Sequence, residues 1–167
     1  MKSKNITITI SGFILFFFLF AGISFAEIKK VEVGIDGLSC PFCVWGLKQQ
    51  MKGIKSIEKL EISLKKSLAH FTLKEDSLLN IEEIEGAVKD AGFSIRGIGI
   101  EAAGEITAYD GFPALKVSGS GQIFILSNFK KINPGAAVLI DGSVHKHEKG
   151  KSYGLLIKKL KIIEDSL

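Results

Sequence analysis

Between Val31 and Ile100 the spacing of apolar residues switches between a period of two and a helical period, and that switching limits the folds open to the chain. Val31, Val33 and Ile35 alternate with Glu32, Gly34 and Asp36, the pattern of a half-buried strand. Val44, Leu47 and Met51 then recur at helical spacing among polar residues, and Gly53 follows as a C-cap. Leu60, Ile62 and Leu64 alternate again, Lys65-Lys66-Ser67 makes a turn, and Ala69, Phe71 and Leu73 form a third alternating run. Asn80 and Glu83 stand three apart ahead of Ile84, Ala87 and Val88, close to a capping box that opens a second amphipathic helix. Gly92 is its left-handed stop, and Ile95, Ile98 and Ile100 read as a closing strand. Strand, helix, strand, strand, helix, strand, joined by right-handed crossovers, gives an α+β, ferredoxin-like βαββαβ sandwich: a four-stranded antiparallel sheet with both helices on one face. The other face is left to solvent, so His70, between Ala69 and Phe71, is read as a surface residue and not a ligand.

The rest of the chain has another texture. Short strands are expected at 106–109, 114–117, 123–126, 137–140 and 155–163. Turn signals separate them: Asp110-Gly111, Ser118-Gly119-Ser120-Gly121, Asn133-Pro134-Gly135, Asp141-Gly142 and Glu148-Lys149-Gly150. This spacing suggests a small all-β barrel, which weakly resembles an oligonucleotide/oligosaccharide-binding (OB) barrel without a clear helix between its third and fourth strands. Such a barrel does not name its ligand. The expected organisation is therefore 1–26, 27–100 and 101–167.

Residues 1–26 begin with Lys2 and Lys4, run through an uncharged apolar core (Ile10, then Phe13 to Phe20), and end in Ser24-Phe25-Ala26. This is the pattern of an export signal cleaved after Ala26. The alternative is an uncleaved anchor, since the charge-free stretch approaches the roughly 20 residues needed to cross a bilayer. Both readings put the remainder outside the cytoplasmic membrane, periplasmic or secreted, with the mature chain soluble. Of 22 basic and 18 acidic residues, two lysines belong to that segment, leaving 20 against 18 and a net charge of +2. So small an excess, with Arg96 the only arginine, is no nucleic-acid footprint.

Both cysteines of the chain, Cys40 and Cys43, fall between the first strand and the first helix. Backbone N–H groups without partners and the positive end of the helix dipole favour thiolates there by about 0.3 to 1 kcal/mol. Two intervening residues let both sulfurs converge on one point. A two-sulfur site suits soft ions of low coordination number, Cu(I) or by the same softness Hg(II). A structural zinc site would need two further ligands. An inert disulfide is a weak reading of purpose, because a four-residue loop adds little closure entropy. It remains open as a resting state outside the cytoplasm, to be reduced before metal binds.

Gly37-Leu38-Ser39-Cys40-Pro41-Phe42-Cys43 resembles the G-M-x-C-x-x-C loop of the heavy-metal-associated domain, the family of copper chaperones, metal-ATPase amino-terminal domains and the periplasmic mercury-binding protein. Asp90-Ala91-Gly92-Phe93 resembles that family's later segment, whose aromatic ring packs beside the metal loop. Leu38 stands where the family usually has Met, and Pro41 between the cysteines is less usual. The resemblance implies that Cys40 and Cys43 bind a soft metal ion, Cu(I) or Hg(II) with Zn(II) or Cd(II) as further candidates. It also implies exchange of the ion with a metal-transporting membrane protein, with Phe93 and Leu38 shielding the loop. Two alternatives stay open. Cys-Pro-x-Cys at a helix N-terminus also resembles the thioredoxin family, a periplasmic thiol-disulfide oxidoreductase, although Pro113 and Pro134 lie far from the pair and the element order differs. An adaptor whose barrel binds a partner is the other. His145 and His147 would share one face of a strand and could supply imidazoles, but the simpler reading is an exposed strand end. No nucleophile triad, phosphate loop or carboxylate pair argues for catalysis, so the chain is expected not to be an enzyme.

Overall fold

The structure, a computed structural model, describes residues 28–129, 133–146 and 152–163. The N-terminal segment read as an export signal and His147 lie outside the described residues. The elements in chain order are β1 (Ile28–Asp36), α1 (Pro41–Lys52), β2 (Ile57–Ser63), β3 (Leu68–Leu73), α2 (Ile81–Asp90), β4 (Ser94–Tyr109), β5 (Phe112–Val117), β6 (Ile123–Ser127), β7 (Ala137–Lys146) and β8 (Tyr153–Ile162).

The first half is the expected α+β sandwich. Strands β2-β3-β1-β4 lie side by side, all antiparallel, with Val31 opposite Phe71 on one side and Ile100 on the other. Alternation places Val31, Val33, Ile35, Ala69, Phe71, Ile98 and Ile100 on one face, where they bury against Leu47 and Met51 of α1 and Ile84 and Val88 of α2. The ends of α2 are fixed by the residues that the sequence marks. Asn80 caps it, its side chain accepting from Glu83 N at 3.1 Å. At the other end Gly92 takes φ +86°, Gly92 N donates to Lys89 O at 2.8 Å and Phe93 N to Val88 O at 3.0 Å. This pair of bonds is a Schellman stop, which turns the chain sharply into Phe93 and β4.

The second half closes on itself. Around the barrel the order is β4-β5-β6-β8-β7, with β7 returning to pair with β4 from Ile98 opposite Val144 to Glu105 opposite Ala137. Strands β6 and β8 run parallel and the other barrel pairs antiparallel. Ile106, Leu115, Val117, Phe124, Leu126, Val138, Ile140 and Leu155 are buried within it. In strand number and closure it is OB-like, and among the described residues no helix lies between its third and fourth strands.

Two expectations about the strands are corrected. The separate runs at 95–100 and 106–109 are one 16-residue strand, β4, which crosses the expected boundary at residue 100 and belongs to both the sandwich and the barrel. Residues 101–105 carry little β propensity, yet Ala102 and Ala103 are buried between the partner strands. Gly104 sits where a Cβ would collide with the Lys116 carbonyl, so small side chains there mark close approach and not a linker. Asp141-Gly142 is likewise no turn: β7 runs through it with a register shift between the two residues. A Cβ at Gly142 would lie 2.6 Å from the Leu156 carbonyl oxygen, which is why glycine stands at this bulge.

The two halves also touch away from β4. The Gln122 side chain accepts from Leu79 N and donates to Leu79 O, each at 2.9 Å, tying the turn before β6 to the chain entering α2. Lys146 Nζ of β7 reaches Glu85 Oε2 of α2 at 3.5 Å. Among the described residues no helix is long and apolar enough to cross a membrane.

Candidate metal centre

The loop carrying the cysteines is built by what flanks it. Strand β1 ends at Asp36, and Gly37 at φ +84° reverses the chain, a conformation that disfavours any side chain. Leu38, only 5% exposed, plugs the loop into the core from below. Its carbonyl accepts from Ser67 Oγ at 3.5 Å, and Ser67 O accepts from Ile35 N at 2.9 Å, so the β2–β3 turn braces the loop from one side. Phe93, delivered by the Gly92 stop, braces it from the other: a Cβ placed on Gly37 would be 3.7 Å from the Phe93 ring. Both residues expected to shield the loop therefore lie against it.

Cys40 is the N-cap of α1, extended at φ −139° and ψ 155°, and its Sγ accepts a hydrogen bond from Cys43 N at 3.0 Å. Pro41 occupies the first helical position, where its missing N–H costs nothing and its fixed φ suits the helix. The proline that invites a redox reading thus has a local structural reason. Cys40 and Cys43 are joined as a disulfide, with Cα atoms 5.1 Å apart. In this disulfide-bonded state Cys40 Sγ has a backbone N–H aimed at it, and the first helical turn carries no acidic residue.

Features that the sequence did not single out surround the pair. Phe42 and Trp45 are 87% and 64% exposed within one turn of the cysteines. Arg96 Nη1 bonds Asp36 Oδ1 at 3.1 Å, and the guanidinium lies over Gly34, where a Cβ would approach it to 3.3 Å. The absence of a side chain at Gly34 is the one signal that could have pointed to it.

The histidines are placed elsewhere. His70 lies on the helix-free face, as expected, but its side chain is only 23% exposed. It sits opposite Glu32 on one neighbour and Glu61 on the other, with Nδ1 3.2 Å from Glu32 Oε1 but without hydrogen-bond geometry. A bond from Lys30 holds the Glu32 carboxyl below its ordinary range, and the same contact raises Lys30. His145 is exposed at the end of β7, its Nε2 3.2 Å from Ser127 Oγ. Among the described residues no three His, Cys, Asp or Glu side chains converge as a metal site.

The chain thus presents a ferredoxin-like sandwich with two cysteines at the first turn of its first helix and, beside their loop, an aromatic ring from the exit of its second. Residues 32–94 match the model of the heavy-metal-associated domain, and the barrel that follows lies outside the match. That match supports metal binding and transfer in general terms. Among solved structures the chain is similar to a copper binding domain from the P-type ATPase HMA7, at 23% identity, 41% of this chain, 92% of that one and a TM-score of 0.37. It is similar to the CopZ metallochaperone at 16% identity, 40% of this chain, 98% of that one and a TM-score of 0.37. A third is the N-terminal domain of PacS from Synechocystis, at 13% identity, 41% of this chain, 94% of that one and a TM-score of 0.36. No curated protein matches the chain.

Proposed function

We propose that the chain carries a soft metal ion, Cu(I) or Hg(II), between the thiolates of Cys40 and Cys43 and exchanges it with a metal-transporting membrane protein outside the cytoplasm. The observation that carries this is the capping geometry: Cys40 Sγ is the acceptor at the N-terminus of α1, and Cys43 supplies both the donor and the second sulfur. In the oxidised pair neither sulfur is a thiolate, so binding requires reduction. A dithiol donor supplies two electrons and two protons, itself becoming a disulfide. Each thiol then loses its proton as the ion binds. Two ligands leave room for an incoming partner thiolate to make a three-sulfur intermediate before one original sulfur departs. The chain acts in this reading as a carrier and not as an enzyme, after removal of residues 1–26.

Metal titration of the reduced chain, with mass spectrometry counting ions and free thiols, tests it. About one Cu(I) or Hg(II) per chain is expected, lost when Cys40 and Cys43 are both replaced by serine. Stoichiometry unchanged by that replacement refutes the site. The disulfide itself favours a second reading, a thiol-disulfide oxidoreductase, which predicts catalytic insulin reduction that the same replacement abolishes.

A further inference from the structure

The solvent face of α1 is out of keeping with its surroundings. Helical geometry puts Phe42, Trp45, Lys48, Gln49 and Lys52 within an arc of about 120°, opposite the buried Leu47 and Met51. The aromatic pair stands at the cysteine end of this arc and the lysines continue it toward the C-terminus. No acidic residue occurs anywhere in α1. Lys65 and Lys66, both exposed, come to the same end of the sandwich because the β2–β3 turn is bonded to the cysteine loop through Ser67 and Leu38. Asp36, the acidic group nearest the loop in sequence, is already paired with Arg96.

We infer that this ridge is a membrane-contacting surface, which seats Phe42 and Trp45 among the headgroups of an anionic bilayer while Lys48, Lys52, Lys65 and Lys66 face its negative charge. Two large aromatics projecting from a ridge, flanked by lysines, have the composition of an interfacial helix. Tryptophan and phenylalanine enter the headgroup region without needing a preformed complementary pocket. Charge chooses the occupant. A second copy would bring four lysines against four lysines, whereas an anionic lipid surface attracts each of them. The consequence is that Cys40 and Cys43 are held at the bilayer surface, so a membrane-embedded partner is met by search in two dimensions. This inference does not require that the cysteines bind metal.

Trp45 is the only tryptophan, so its emission reports on this face alone. The full, oxidised, metal-free chain is mixed with phosphatidylcholine vesicles, with and without phosphatidylglycerol. The expected result is a blue shift, and quenching by brominated acyl chains, on the anionic vesicles only, reversed by salt. Lys48→Glu with Lys52→Glu should weaken the partition by about tenfold or more, and Lys65→Glu with Lys66→Glu, far from the helix backbone, should act in the same direction. The N-terminal segment, with Lys2 and Lys4, is the same in every variant, so a loss of partition in the charge-reversed pairs on anionic vesicles is assigned to this face. An equal shift on neutral vesicles, no shift on anionic ones, or indifference to both charge-reversed pairs overturns the inference. So does a shift produced by poly-glutamate and not by vesicles, which would assign the face to an acidic protein. None of these outcomes bears on metal stoichiometry, so the two readings fail separately.

Discussion

The Phe93 ring lies against Gly37, close enough that a single added methyl would be 3.7 Å from the ring edge. That contact joins two independent pieces of backbone: the positive-φ turn that ends β1 and the Schellman stop that ends α2. Each glycine is required by its dihedral, and together they decide where the ring and the cysteines meet.

Gly37→Ala has the space it needs but not the backbone, because φ +84° is disfavoured for any side chain. We expect a loss of about 1 to 2 kcal/mol in urea unfolding, with metal affinity of the reduced chain falling as the loop shifts away from Phe93. Phe93→Leu should reverse the pattern, keeping the loop conformation and stability closer to wild type while exposing the cysteine pair to competing thiols. Equal stability of Gly37→Ala and the parent would show that the turn is not strained.

Gln122 reaches across from the barrel and satisfies both backbone groups of Leu79, itself buried. Gln122→Ala leaves an N–H and a C=O at a partly buried site without their partner, a loss of about 1 to 3 kcal/mol. The side chain bridges the halves, so the expected signature is more than lower stability. Hydrogen exchange at the start of α2 should speed up relative to β1, which Gln122 does not touch. Uniform acceleration through the sandwich would mean that the two halves unfold as one unit regardless of this bridge.

The sandwich was legible because its core residues alternate on one face only, so period alone places Val31, Val33, Ile35, Ala69 and Phe71. The ends of α2 were equally readable, since Asn80 and Gly92 act through local backbone bonds that need no distant partner. What could not be read depends on strands far apart in the chain. Glycine before or after an acidic residue signals a turn at Asp110-Gly111, where φ is positive at both residues and β4 meets β5. The same dipeptide at Asp141-Gly142 lies in mid-strand, where glycine is needed because the backbone of β8 passes over it. Local sequence does not distinguish the two. At the candidate site the cysteines were readable from their spacing, and Leu38 and Phe93 only from the resemblance to the heavy-metal-associated loop. The packing of Arg96 over Gly34 was not, because it joins residues 62 apart by number and neither alone is unusual.

Gly142→Ala tests that distinction directly. The added Cβ would meet the Leu156 carbonyl oxygen at 2.6 Å and Leu155 at 2.9 Å, with backbone on one side and a buried core residue on the other. Overpacking of this kind costs about 1 to 3 kcal/mol. Gly111→Ala places its methyl where nothing lies within 4 Å, so its cost comes from φ +80° alone. The thermal midpoint of Gly142→Ala is expected to be the lower of the two, with exchange faster in β7 and β8. The opposite order would mean that β8 yields easily and that the bulge is not held by close approach.

Tyr153 and Glu82 set the expected alkaline behaviour. The Tyr153 hydroxyl is buried beside the Glu82 carboxylate, at the contact between β8 and α2, without a partner in hydrogen-bond geometry. Burial, then the neighbouring carboxylate, pushes the phenol well above its ordinary range. A tyrosine whose folded pKa exceeds its unfolded value contributes stability that is complete below the unfolded value, near 10. That contribution is lost as pH rises toward the folded value, because the unfolded chain releases the proton first. Urea midpoints measured from neutral pH to pH 11 should therefore fall for the parent more steeply than for Tyr153→Phe, which has no proton to lose there. Parallel curves would place the Tyr153 hydroxyl in contact with water and remove the coupling between β8 and α2.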